Sequence, residues 1–276
     1  SDGIGGALVA ALRSDAADPT VAQSVCTTLG CLTTAADHAL ALQRDGCGAA
    51  VIATLQRYAD VKGVAAAACG ALRGLTFVEA NRWDLARDGA DTAAIAILQR
   101  HAGDICVSYD GCGVLWSLTA SKDSRDALLS RGCGNAAAAV VTVLKQDGLA
   151  SWVAHAALCV LQNISVNVEC CVPLVRDHGV AAAIVAAVQQ NPYGADVARA
   201  ATGTLRNLAA SVEARKVLAR DASVIAAVAV ALKRNDNDVK VATAGCWVIC
   251  NMAEEEEDRA LLARDANASA AVVTVL

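Results

Sequence analysis

The sequence predicts an all-α fold, a right-handed α-solenoid of repeats that each contain three helices. The 276-residue chain is 55% hydrophobic but only 3% aromatic, so small side chains that suit closely packed helices must form its core. Apolar residues recur at spacings of three and four, as they do on one face of a helix, rather than alternating as in a strand. Two short patterns also repeat along the chain with a common period, which is typical of a solenoid.

The first repeated pattern is a five-residue apolar stretch, and its fourth position serves as a landmark. Its copies run from TLGCL through VLQNI to VICNM, and their landmarks are Cys31, Gly74, Ser117, Asn163, Asn207 and Asn251. These landmarks are 43, 43, 46, 44 and 44 residues apart. The second pattern, which runs from LQRDG to LARDA, has its landmarks at Asp45, Asp88, Arg131, Asp177, Asp221 and Asp265. Because the second set has the same five separations, the two patterns describe one repeat.

Each repeat is predicted to contain a short helix, an Ala/Val-rich helix and a longer third helix, in that order. One repeat shows this clearly, with VEARKVLARD at 212–221, ASVIAAVAVALKR at 222–234 and VKVATAGCWVICNMA at 239–253. Gly46, Gly89 and Gly132 follow first helices, where a C-terminal cap favours a left-handed residue. The polar stretch at 235–238, NDND, indicates a turn between the second and third helices.

These elements predict one solenoid domain over residues 1–276. The chain is expected to begin with a second-type helix at 4–13 and to end with another at 268–276. Because a solenoid end normally has a polar cap, we interpret the chain as part of a longer array. The predicted units cover about 1–45, 46–88, 89–131, 132–177, 178–221 and 222–276.

In these motifs the chain resembles the armadillo repeat family over essentially its whole length. The shared features are the period, the three helices per unit, the glycine after the first helix and the Leu-x-Asn-Leu texture of the third helix. HEAT repeats, with two helices per unit at a similar period, are the alternative. The resemblance implies a non-enzymatic scaffold or adaptor that binds a protein or an extended peptide along a concave groove formed by the third helices.

The groove is expected to be lined by the landmark position, by positions −8, −4 and −1 before it, and by position +3 after it. The resemblance implies that the amides of Asn163, Asn207 and Asn251 pair with the backbone of a bound peptide; alternatively, they tie neighbouring helices together. The other polar and aromatic residues of this face are predicted to bind acidic groups or apolar side chains, unless they are simply solvated. They are Arg73, Arg199, Arg206, Tyr109, Trp116, Trp247, Phe77 and His155.

A nuclear-import receptor is the alternative function within this class. The import-receptor pattern repeats Trp and Asn four residues apart in several units and lines the groove with acid. Here Trp247 and Asn251 form the one such pair, and the face carries Arg rather than acid. The pattern therefore favours a scaffold over an import receptor.

Cysteine usage predicts neither metal binding nor catalysis. The twelve cysteines contain no CxxC motif and indicate a reducing, cytoplasmic or nuclear environment. Cys26, Cys69, Cys112 and Cys246 share one apolar position and are expected to be buried. Cys246 and Cys250 supply only two of the four ligands that zinc needs, so no metal or other cofactor is predicted.

Three further functions are disfavoured. His155, Cys159 and Asn163 recur every four residues and include the residue types of a nucleophilic triad, but one rigid helix offers no evident oxyanion donors. The net charge of −5 gives no general attraction to nucleic acid. The longest uncharged run, 148–168, contains several polar residues, so no membrane span is predicted.

Overall fold

The computed structural model describes residues 3–14, 18–254 and 256–264, and within these ranges it contains 18 helices joined by short turns. The chain forms two compact units, Ser1–Ala139 and Val140–Leu276. The first unit contains α1 (Ile4–Arg13), α2 (Pro19–Leu32), α3 (Ala36–Arg44), α4 (Cys47–Arg57), α5 (Lys62–Phe77), α6 (Glu79–Arg87), α7 (Ala90–His101), α8 (Ile105–Ala120), α9 (Lys122–Ser130) and the start of α10 (Cys133–Leu144). The second contains the rest of α10, then α11 (Ser151–Ile164), α12 (Val168–Arg176), α13 (Val180–Gln190), α14 (Ala195–Ala209), α15 (Val212–Ala219), α16 (Ala222–Arg234), α17 (Val239–Met252) and α18 (Glu256–Arg264).

In the first unit, helices of the same type pack side by side in successive repeats. The third helix α5 packs between α2 and α8, α4 lies between α1 and α7, and α6 lies between α3 and α9. Cys26, Cys69 and Cys112 occupy the predicted apolar position of their third helices and are fully buried. This stacking buries small side chains between neighbouring repeats, as the composition predicts.

The second unit has the same order of packing. The third helix α14 packs between α11 and α17, and α13 packs against α16. At the apolar position, Leu158 and Thr202 are buried, but Cys246 is only partly buried. The expectation of a buried Cys246 is therefore wrong: among the described residues, α17 has a third-helix neighbour on one side only.

The helix boundaries follow the predicted repeat closely. The helix α16 has the predicted bounds, α1 begins at the predicted residue, and α15 and α17 end one or two residues early. Gly46, Gly89 and Gly132 have φ angles of 83°, 91° and 109°, which confirms their left-handed conformation. Gly179 has φ 62° and does the same before α13, although the sequence pattern is broken there by His178. The predicted terminal helix at 268–276 lies outside the described residues.

Side chains of the first helices hold the C-terminal ends of the third helices that precede them. Nε of Arg82 donates a hydrogen bond to the carbonyl of Thr76 at 3.0 Å, and Nη1 of Arg125 donates to that of Thr119 at 3.1 Å. Arg259 makes the equivalent bond just after α17. These bonds satisfy carbonyl groups that a helix leaves without partners at its end. The first helices thus fix the ends of the third helices and leave one face of the third helices open.

Candidate partner-binding face

The third helices of each unit share an open surface, which we call the third-helix face. It is formed by α2, α5 and α8 in the first unit and by α11, α14 and α17 in the second. The residues predicted to bind a partner lie on these helices and are exposed or partly exposed; Phe77, at the end of α5, is one, and the other ten follow. They are Arg73, Tyr109, Trp116, His155, Asn163, Arg199, Arg206, Asn207, Trp247 and Asn251. At position −4, in contrast, Gly113, Cys159 and Gly203 are buried, so this position lies at the edge of the exposed face.

In the second unit, two open depressions follow one another along this face. The first has a volume of about 430 Å³, and its lining includes His155 on α11 and Arg199 on α14. The second has a volume of about 570 Å³, and its lining includes Trp247 and Asn251 on α17. Arg206 lines both depressions. Asn207 lines the second depression as well. Six predicted site residues of this unit therefore line the two depressions.

The two arginines of α14 differ in their electrostatic surroundings. Nε of Arg199 lies 2.6 Å from a carboxylate oxygen of Asp238, and its Nη1 lies 2.7 Å from Asp196. Burial raises the pKa of Asp238, but hydrogen bonds from Val241 N–H and Arg199 outweigh that effect and lower the pKa below its ordinary value. Arg206 is exposed and forms no hydrogen bond or ion pair with another described residue. Its guanidinium charge is therefore the one available to a partner.

The landmark asparagines are not equivalent. Nδ2 of Asn207 donates to the carbonyl of Gln162 at 3.1 Å and to Oγ of Ser165 at 3.3 Å, so this side chain ties α14 to the end of α11. Asn251 makes no side-chain hydrogen bond within the described part of the chain and lines the depression beside Trp247. The helix-tying alternative therefore describes Asn207, whereas the side-chain amide of Asn251 makes no such bond between the described helices.

In the first unit, the predicted residues Arg73 and Tyr109 form a cluster with Asp110. Nε of Arg73 lies 2.6 Å from Asp110, and its guanidinium carbon lies 5.0 Å from the centroid of the Tyr109 ring. Burial raises the pKa of Asp110, and Arg73 opposes this shift only in part. The expectation of arginine without acid on this face is thus wrong, because Arg73 and Arg199 both have acidic partners. Of the remaining aromatic residues, Trp116 is 38% exposed and Phe77 is 78% exposed.

At two positions equivalent to Trp247, a glycine lies against a side chain of the preceding repeat. A Cβ atom added to Gly113 would lie 2.4 Å from Cδ of Arg73, and one added to Gly203 would lie 2.3 Å from Nε2 of Gln162. The preceding repeat therefore fills the space beside the helix at these two positions. Trp247 stands at the equivalent position of α17 and is 54% exposed.

The histidine and cysteine of α11 adjoin but do not form an activated nucleophile. Sγ of Cys159 lies 3.3 Å from Nε2 of His155. Burial raises the pKa of the Cys159 thiol to about 12 and lowers the pKa of His155. The thiolate is the nucleophilic form, and this shift in the pKa of Cys159 disfavours it at neutral pH.

The described residues form neither a cluster of metal ligands nor a single helix that could span a membrane. No three His, Cys, Asp or Glu side chains in this part of the chain come together as metal ligands would. No single described helix has both the length and the apolar composition of a membrane span. Two bent pairs of helices, α9–α10 and α12–α13, meet the length and composition criteria when the two helices of a pair are counted together.

Sequence reasoning missed residues one turn earlier on the third helices. Lys240 is exposed and lines the first depression, and Trp152 is 56% exposed at the equivalent position of α11. Both lie 11 residues before their landmarks, three before the outermost position considered. Because residues three apart are neighbours on a helix face, extending the register by one turn would have found them.

The sequence matches no protein-family model and shows no significant similarity to a curated protein. In three dimensions, the chain is similar to a solved structure of beta-catenin, described as "A conserved phosphorylation switch controls the interaction between cadherin and beta-catenin in vitro and in vivo". The TM-score is 0.58 and the identity 17%, over 98% of this chain and 60% of that chain. The fold is an armadillo-like α-solenoid. At this identity the likeness concerns the fold, and this chain spans 60% of the length of that chain.

Proposed function

We propose that this chain is a scaffold that binds an extended segment of a partner protein along its third-helix face, with no chemistry of its own. One observation carries the proposal: Arg206, Trp247 and Asn251 line a single open depression. The guanidinium and the amide have no hydrogen-bond partner among the described residues, and the indole is half exposed. Unpaired polar groups beside an exposed aromatic ring are features of a binding surface.

The chemistry of this depression indicates what the segment carries. The indole of Trp247 offers apolar area to a side chain of the partner. The amide of Asn251 can donate to and accept from a peptide group, and Arg206 can pair with a carboxylate or phosphate group. Because packed helices lie about 8–10 Å apart and an extended chain advances about 3.3–3.6 Å per residue, about three residues of the segment would cross each third helix.

The fold comparison supports a protein as the partner. The similar beta-catenin structure is described by its interaction with cadherin, which is a protein. A receptor of the nuclear-import type is the second candidate, favoured by the pair of Trp247 and Asn251. The filled spaces beside Gly113 and Gly203 weigh against a row of such pairs. All twelve cysteines are free, which supports a reducing cytoplasmic or nuclear location.

The proposal can be tested by selecting binding peptides from a displayed random library and measuring their dissociation constants. Arg206→Glu should weaken binding at least tenfold, and Trp247→Ala should also weaken it, because hot-spot truncations cost about 2 kcal/mol or more. Arg220→Glu is the matched control, since Arg220 is exposed in the turn that follows α15 and makes no ion pair with a described residue. Far-UV circular dichroism should be the same for all variants. If Arg206→Glu binds as tightly as Arg220→Glu, the third-helix face does not hold the segment.

A further inference from the structure

A cleft in the first unit lies outside the third-helix face. It has a volume of about 380 Å³, opens between the first helices α6 and α9, and is lined by Trp83, Asp123, Asp126 and Ala127. We call it the Trp83 cleft. The indole of Trp83 is 50% exposed. Since the third-helix face does not include α6 or α9, this cleft requires a separate explanation.

The fold itself makes little use of Trp83. The buried side chains of α6 include Asn81 and Leu85, which face the neighbouring helices. Burying an aromatic ring is strongly favourable, so leaving half of this one in water gives up stability that a core position would provide. An exposed aromatic ring that lines a cleft offers apolar area to which a side chain of a partner can bind.

The three arginines of α6 and α9 bind groups of residues that do not line the cleft. Arg82 and Arg125 donate to backbone carbonyls at the ends of α5 and α8. Arg87 pairs with Asp84 at 3.0 Å and lies 3.6 Å from Asp88. None of these three guanidinium groups lines the Trp83 cleft.

Two carboxylates, those of Asp123 and Asp126, line the cleft. Asp126 pairs with Lys122 at 2.6 Å, but the lysine side chain is 77% exposed, and such a surface pair one helical turn apart is weak. Asp123 forms no ion pair or hydrogen bond with another described residue. Lys122 and the guanidinium of Arg125 both act on Asp126 and lower the pKa of its carboxyl group, whereas Asp123 stands beside the indole ring without a bonded cation among the described residues. An aromatic face combined with carboxylates is complementary to a cation.

We propose that the Trp83 cleft binds an arginine side chain presented by a basic segment of a partner protein. The planar guanidinium can stack on the indole of Trp83 while its N–H groups donate to Asp123 and Asp126. Arginine suits the site better than lysine, because it combines stacking with paired hydrogen bonds. The inference does not depend on the third-helix face, so the chain would have two recognition surfaces with different charge preferences.

The test uses the indole N–H signals of the four tryptophans in a ¹⁵N-labelled chain. The signal that disappears in Trp83→Phe identifies Trp83. The probe is an acetylated and amidated Gly/Ser decapeptide with two central arginines, and its control replaces both arginines with citrulline, which is neutral and similar in shape. The arginine peptide should produce a saturable shift of the Trp83 signal that decreases with salt, and the citrulline peptide should produce none.

Matched charge variants separate a local contact from a general effect of charge. Asp123→Asn/Asp126→Asn should weaken binding of the arginine peptide about tenfold, because it removes both carboxylate charges that pair with the guanidinium group at the surface. Asp37→Asn/Asp147→Asn removes the same charge from exposed sites elsewhere and should leave binding unchanged. An absent Trp83 shift, an equal shift with citrulline or equal effects of the two double variants would overturn the proposal. Saturation of Trp116 or Trp247 before Trp83 would do so too.

Discussion

Asn207 and Asn251 occupy equivalent positions, and the structure predicts opposite consequences of replacing them. Asn207→Ala removes two hydrogen bonds that join α14 to α11, at 3.1 and 3.3 Å. Each such bond contributes about 0.5–1.5 kcal/mol, so the free energy of unfolding should decrease by about 1–3 kcal/mol. Asn251→Ala removes no hydrogen bond to a described side chain and should change that free energy by less than about 0.5 kcal/mol.

Urea unfolding followed by circular dichroism measures this difference. If the slope of free energy against urea concentration is the same for both variants, a difference between their midpoints reports a difference in stability. Peptide binding provides the second readout, since Asn251→Ala should weaken binding to the third-helix face without lowering the unfolding midpoint. The reasoning is refuted if both variants lower the midpoint equally, or if Asn207→Ala leaves it unchanged.

Two further predictions concern the fold. Gly89→Ala should lower the unfolding free energy by about 1–2 kcal/mol, because Gly89 has φ 91°. Gly30 lies inside α2, and an added Cβ would make only ordinary contacts, so Gly30→Ala should raise the unfolding free energy by about 0.5–1 kcal/mol. Thermal unfolding checks both signs, and equal shifts of the two variants would contradict the backbone argument. Burial raises the pKa of Cys26 and Cys112 to about 12, so iodoacetamide at pH 8 should first label the exposed thiols, which are Cys31, Cys106 and Cys250. Since folding raises these two pKa values above 9.0, the stability that they contribute is present below pH 9 and should be lost as the pH rises towards 12, which urea midpoints across that range would detect.

The repeat could be predicted because its information is local and periodic. Helix α16 has the bounds that its Ala/Val run and flanking polar turn indicate. Gly46 and Gly89 could be predicted because a left-handed cap restricts the residue type. Gly179 was missed because His178 interrupts the pattern on which the cap prediction depended. Spacing alone, rather than any long-range contact, was sufficient for these elements.

The binding face was predicted only as a set of positions. Which side chains pair across repeats depends on contacts between residues about 40 apart, such as Arg73 with Asp110 and Arg199 with Asp238. Helical spacing places a residue on a face but does not state which rotamer it adopts or which carboxylate it meets. The sequence therefore could not distinguish the paired Arg199 from the unpaired Arg206.

Photo-crosslinking tests the central claim most directly, using a library-selected peptide. A benzoylphenylalanine at Thr243, which lines the first depression of the third-helix face, should crosslink to the peptide. The same group at Lys233, exposed on the second helix α16, is the control and should not crosslink. Mass spectrometry identifies the joined residues in each case. Crosslinking from Thr243 alone is the predicted result, and equal or exclusive crosslinking from Lys233 would contradict binding along the third-helix face.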